Sequence, residues 1–143
     1  MTINRIFPYL NFDGNAAEAI AFYGDIFRVQ KPEVTRFADM KDHPFGPEAN
    51  DRVMHACLTI GKATLMLSDV PPGMKLQRGT TSNVMVDLDD LEETKRIFAA
   101  LAKGGEVSMD LHQSFWGATF GMVVDRFGVS WMLSGPKDEA AAS

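Results

Sequence analysis

Apolar and polar positions alternate in short runs along most of the chain, and twice this period-two pattern gives way to helical spacing. Residues 3–12, INRIFPYLNF, are β-compatible and stop at the turn-forming DGN, which predicts a first strand. Asn15 with Glu18 three positions on forms a capping pair, and Ile20, Tyr23, Ile26 and Phe27 then recur at helical spacing, so a first helix follows. Residues 29–36 predict a short strand, ADMKDHPFGPEAND a polar loop rich in Pro and Gly, and RVMHACLTI with ATLMLS a hairpin joined through Gly61 and Lys62. The second half replays this order. A strand over residues 81–88 leads to a second capping pair, Asp90 and Glu93, and to a stripe of Leu91, Thr94, Ile97, Phe98 and Leu101 that ends at Gly104 and Gly105. Strands over residues 106–113, 118–124 and 129–134 follow, separated by SFWG and DRFG. The chain is therefore βαβββ written twice, with Met-Leu-Ser on the last strand of each unit, at residues 66–68 and 132–134.

Successive side chains of a strand point to opposite faces, so the pattern also separates the two sides of the predicted sheet. Met54, Ala56, Leu58 and Ile60 oppose Val53, His55, Cys57 and Thr59; Ala63, Leu65 and Leu67 oppose Thr64, Met66 and Ser68. In the second unit Val84, Val86 and Leu88 oppose Asn83, Met85 and Asp87, and Val129, Trp131 and Leu133 oppose Ser130, Met132 and Ser134. One side is uniformly apolar and belongs under the helices. The other mixes Met, Ser, Thr, Asn and His, the lining expected of a ligand-sized hollow rather than of a wet outer face.

With 143 residues, 45% of them hydrophobic and 23% charged, the chain suits one compact domain built of two half-domains, over about residues 1–137 with modules at 3–69 and 80–135. A net charge of −5 supplies no basic field for phosphates, so neither nucleic acid nor an anionic membrane is an expected partner. Cys57 is the one cysteine, which excludes an internal disulfide and a cysteine-rich zinc module and fits a reducing compartment. No leader-like or membrane-spanning apolar run is visible, so the expected location is the cytoplasm, and the tail from residue 138 is expected to fray.

The stretches PYLNFDGNAAEAIAFY, MHACLTIGKATLMLSD and FWGATFGMVVDRFGVSWML, within paired βαβββ modules, resemble the vicinal oxygen chelate superfamily of glyoxalase I, extradiol dioxygenases and antibiotic-resistance proteins. Within it they are similar to the PhnB-like subgroup, often labelled 3-demethylubiquinone-9 3-methyltransferase-like; the match runs over residues 4–135. The resemblance implies an α+β glyoxalase-like fold: a curled, mixed eight-stranded sheet around a cavity, helices outside, commonly completed as a homodimer. Enzymes of the superfamily hold a divalent metal through four strand positions. Carried over, these fall on Phe7 or Pro8, Met66, Asn83 and Met132. Thioether suits soft ions and hard cations want carboxylate or imidazole, so no metal and no other cofactor is expected. The methyltransferase label finds no G-x-G-x-x-G turn to support it.

What remains is binding or metal-free chemistry. His55 is the candidate acid–base group, the competing reading being a histidine satisfied by a neighbouring strand. His55, Cys57, Met66, Asn83, Met85, Gln113, Phe115, Trp116 and Met132 are the candidate ligand contacts. Cys57 lacks a visible basic neighbour, so inert packing competes with any nucleophilic role, and Phe115 with Trp116 could bury a dimer seam. His43 and His112 have no partners at a recognisable spacing, and Asp13, Gly14, Asp125, Arg126 and Gly128 belong to turns. The expected partners are a second copy of the chain and an unidentified small molecule. Three functions follow: metal-independent binding of a small organic ligand, an enzyme (lyase, isomerase or methyltransferase) using His55, and a resistance-type protein that sequesters an aromatic drug.

Overall fold

The computed structural model describes residues 2–140, so the last three residues of the tail expected to fray lie outside the described residues. The chain divides into two compact units, one ending at Gln77 and the other beginning at Arg78. The first contains β1 (Tyr9–Phe12), α1 (Ala16–Ile26), β2 (Glu33–Arg36), β3 (Val53–Ile60) and β4 (Ala63–Asp69); the second contains β5 (Val84–Asp87), α2 (Leu91–Ala102), β6 (Glu106–Gln113), β7 (Thr119–Val124) and β8 (Ser130–Gly135). Hydrogen bonding divides the eight strands into two four-stranded mixed sheets, ordered β1-β4-β3-β2 and β5-β8-β7-β6. The repeat read from the sequence is thus repeated in topology: first strand parallel to last, the others antiparallel.

In the first module, α1 packs its buried Ala16, Ala19, Ile20, Tyr23 and Ile26 on β3 and β4, which offer Ala56, Leu58, Leu65 and Leu67. In the second, Thr94, Ile97, Phe98 and Leu101 of α2 meet β6, β7 and β8, including the buried Val123, Trp131 and Leu133. Two glycines admit the helix. A Cβ on Gly121 would come within 2.8 Å of the Phe98 ring, and one on Gly135 would overlap the Thr94 side chain.

Three local expectations are corrected. The first strand begins at Tyr9 rather than Ile3: Pro8 has no N–H to donate, and Ile3 and Ile6 are exposed. Asn15 occupies the N-cap of α1 without a side-chain cap bond. The role falls to buried Asp69 at the end of β4, whose Oδ1 accepts from the Gly14 and Ala16 amides at 2.7 and 3.0 Å and whose Oδ2 accepts from Val53 N–H at 2.9 Å. The Asp90 cap of α2 forms as read, accepting from Glu93 N–H at 2.9 Å. Third, strict alternation puts Val53 with His55 and Met54 with Ala56, but a bulge intervenes. Thr35 pairs with His55 whereas Arg36 pairs with Val53, so Met54 is an extra residue and the alternation flips; Val53 is fully buried like Ala56 and Leu58.

The polar loop between β2 and β3 is built around a ring cluster of Phe37, His43 and Phe45. His43 Nδ1 accepts from Phe45 N–H, which leaves the proton on Nε2 to donate to Asn50 Oδ1 at 2.7 Å. The DRFG turn is held by buried Asp125, which accepts from the Phe127 and Val129 amides and, at 2.9 Å, from the indole N–H of Trp131.

Candidate functional site

The face of each sheet opposite its helix carries most of the candidate residues, and strand register decides which side chains meet there. In the first module Tyr9 stands beside Met66, Met66 opposite Cys57, and Cys57 opposite Glu33, giving one row across all four strands. His55 lies two residues from Cys57 on the same face, paired with Thr35. Tyr9 Oη is 3.0 Å from His55 Nδ1, with ring centroids 5.8 Å apart. Because β1 and β3 both flank β4, this bond passes over β4 and fixes the imidazole from outside its own strand. Alternation from the buried Phe12 marks Tyr9 as facing away from α1; its position beside Met66 required the parallel register, and the sequence reading missed it.

In the second module Met85 pairs with Met132, Met132 with Met122, and Met122 with Met109. One methionine from each of the four strands therefore stands in a single row, exposed at its two ends and half-buried in the middle. The sequence pattern does not single out Met109 and Met122, which only the strand register brings into the row. The next row is Asp87, Ser134, Phe120 and His112. Phe120 is covered by Trp116, centroids 5.3 Å apart, and Trp116 by Phe115 at 4.9 Å and a right angle, so aromatic edges and faces border the methionine row. Phe115 is almost fully exposed and Trp116 half-exposed.

Gln113 does not join this face. The register of β6 pairs it with Thr119, whose alternation places it with Gly121 and Val123 toward α2. Its amide donates to Thr119 Oγ1 at 2.8 Å and its carbonyl accepts from Asp138 N–H at 3.3 Å; Asp138 also ion-pairs with Lys95 at 3.3 Å. Gln113 ties down the segment after β8. Asn83 is exposed just before β5.

The same register resolves the alternative left by the sequence. Tyr9 beside Met66 corresponds to Met85 beside Met132, so two residues upstream Phe7, not Pro8, corresponds to Asn83. The four transferred positions then hold a phenyl ring, two thioethers and a carboxamide. That set does not fit a hard divalent cation, which requires anionic oxygen or imidazole. Among the described residues, no three His, Cys, Asp or Glu side chains gather to replace it, and no helix is long and apolar enough to cross a membrane.

A family model described as 3-demethylubiquinone-9 3-methyltransferase matches residues 4–134. The chain belongs to this PhnB-like family. It is 33% identical to protein YjdN of Escherichia coli K12, over 92% of this chain and 95% of that one. Among solved structures, the PhnB-like chain is similar to protein PA1353 from Pseudomonas aeruginosa, at 37% identity and a TM-score of 0.83, covering 95% of this chain and all of the other. It also matches a Bacillus cereus protein described as a putative 3-demethylubiquinone-9 3-methyltransferase, PhnB protein, at 26% identity and a TM-score of 0.75, over 92% and 99% of the two chains. A glyoxalase/bleomycin resistance/dioxygenase family enzyme from Burkholderia phytofirmans, 12% identical with a TM-score of 0.59 over 90% and 95%, shares the fold alone. The PhnB-like chain therefore has the α+β glyoxalase-like fold.

Proposed function

We propose that this PhnB-like protein binds a small, largely apolar organic molecule without a divalent metal, and that the open face of the second module supplies the contacts. The observation that carries this reading is the row Met85, Met132, Met122 and Met109 bordered by Phe120, Trp116 and Phe115. Thioethers are polarizable and adapt their shape, and they pack well against aromatic rings. Ser134 and Asp87 in the adjacent row add the few polar groups that orient a ligand. We further propose that it works as a cytoplasmic homodimer; the lone thiol fits a reducing compartment, and exposed Ile3, Ile6 and Phe115 are surfaces a second copy could cover.

Fluorescence tests the binding directly. Trp131 is buried with its N–H held by Asp125, so Trp116 is the indole open to a ligand. Titration with a panel of planar aromatic molecules is expected to quench the red edge of the emission saturably, and Trp116→Phe to remove that change. Quenching that is unsaturable, or that persists in Trp116→Phe, would refute the assignment to this face. Metal independence has its own check. An ion present at a hundred times its Kd would stabilise the fold by about 2.7 kcal/mol; added Mg or Mn is expected to leave the Tm unmoved, and a rise of several degrees would contradict the reading.

A second reading, an enzyme using His55 as acid or base, is favoured by the Tyr9–His55 hydrogen bond, which holds the ring in one orientation. It requires a turnover that His55→Gln abolishes without unfolding the protein. Methyl transfer, though named in the family description, is not part of the proposal. The sheets are mixed rather than doubly wound, and no glycine-rich dinucleotide-type turn opens either helix. Sequestration of an aromatic drug is a special case of the first reading and is tested by the same titration.

A further inference from the structure

We infer that His55, Cys57 and Met66 of the first module form a binding site for a soft monovalent metal ion, Cu(I). His55 and Cys57 are two residues apart on β3 and share one face, and Met66 stands directly opposite Cys57 on β4. Side chains so paired have Cβ atoms roughly 4.5–5.5 Å apart, and the unbranched thioether arm can bring its sulfur to a common point with a thiolate. Thiolate, thioether and imidazole together are a donor set that selects Cu(I) over hard cations.

The Tyr9 bond is an independent observation in favour of the imidazole as a ligand. When Nδ1 carries the proton and donates it to Tyr9 Oη, 3.0 Å away, the lone pair stands on Nε2. Metal-binding histidines ordinarily donate their second ring N–H to such a partner, which fixes tautomer and orientation. Tyr9 is then a positioning residue. Binding is balanced by one proton: the Cys57 thiol loses H⁺ as the S–Cu bond forms, while His55 and Met66 donate lone pairs without a change in protonation.

The test is anaerobic titration of the full chain with Cu(I), in competition with a chromophoric Cu(I) chelator. One ion per chain is expected, with Cys57→Ser abolishing uptake and Met66→Leu and His55→Gln each weakening it at least roughly tenfold, the scale on which a lost ligand or second-shell partner acts. Tyr9→Phe is expected to weaken it severalfold while leaving the stoichiometry at one. Proton release on binding, followed with a pH indicator, should disappear in Cys57→Ser. Equal affinity in the parent, Met66→Leu and His55→Gln proteins would show capture by an isolated thiol and overturn the inference. So would loss of binding in Met122→Leu with Met66→Leu unaffected, which would place the ion on the other sheet. Met66→Leu conserves volume and apolarity, so its comparison with the parent stands even if a bulkier change disturbs the module. The aromatic titration of Trp116 reads the other sheet, and failure of either proposal leaves the other intact.

Discussion

Replacing Asp69 with alanine is expected to lower the stability of the first module by about 3–4 kcal/mol, since hydrogen bonds to a charged group contribute roughly 1.5–3 kcal/mol each and are not additive. Asp69 is almost completely buried, and its two oxygens accept from three backbone amides, Gly14, Ala16 and Val53. These belong to the turn before α1, the first turn of α1 and the first residue of β3. Removing the carboxylate leaves three donors with no replacement acceptor and loosens a junction of three elements. Denaturant unfolding measures the loss, and amide hydrogen exchange locates it: Gly14, Ala16 and Val53 should lose protection first. Asp69→Asn keeps the shape and one acceptor and should fall between alanine and the parent. A change below about 1 kcal/mol in Asp69→Ala would mean that water or another group takes over the bonds. Asp13 makes the useful contrast. Its ion pair with Arg52 is 2.7 Å long, but the Asp13 side chain is 57% exposed, so Asp13→Ala should change stability by less than about 1 kcal/mol.

Gly105→Ala is expected to destabilise the second module by about 3 kcal/mol, the upper part of the range for overpacking. The residue follows α2, and a Cβ there would fall on the carbonyl oxygen of Val124 and within 2.9 Å of the carbonyl carbon and Cα of Asp125. Backbone cannot rotate aside as a side chain can. The displaced residues lead directly into the Asp125 carboxylate that holds Phe127, Val129 and the buried Trp131, so near-ultraviolet dichroism of that indole should change together with the unfolding midpoint. Gly24→Ala in α1 has nothing within 4 Å of the new methyl group and should instead stabilise by about 0.5–1 kcal/mol, because alanine restricts the unfolded chain and favours the helix. The opposite signs separate crowding from intrinsic propensity. If Gly105→Ala were as mild as Gly24→Ala, the close approach of the α2 terminus to Val124 would be wrong.

The same contrast between local and remote causes marks what could be read in advance. Helix spacing placed Ile20, Tyr23 and Ile26, and later Thr94, Ile97, Phe98 and Leu101, on buried faces, because a helical period is a local property of the chain. Alternation correctly divided Leu65 and Leu67 from Met66, and Trp131 and Leu133 from Met132. It failed where one extra residue enters a strand, at Met54, which returned Val53 to the core. A bulge is a relation between two strands, and no single strand carries its signature.

By itself, then, the sequence determined the two βαβββ modules and their apolar and mixed faces. Register and tertiary contact decided the rest: which remote carboxylate caps α1, that Tyr9 reaches His55 over β4, and that four methionines from four strands form one row. Periodicity is written in neighbouring residues, whereas these partners are 46 residues apart for Tyr9–His55 and 53 for Ala16–Asp69 and meet only because hydrogen-bonded strands fix their relative slide.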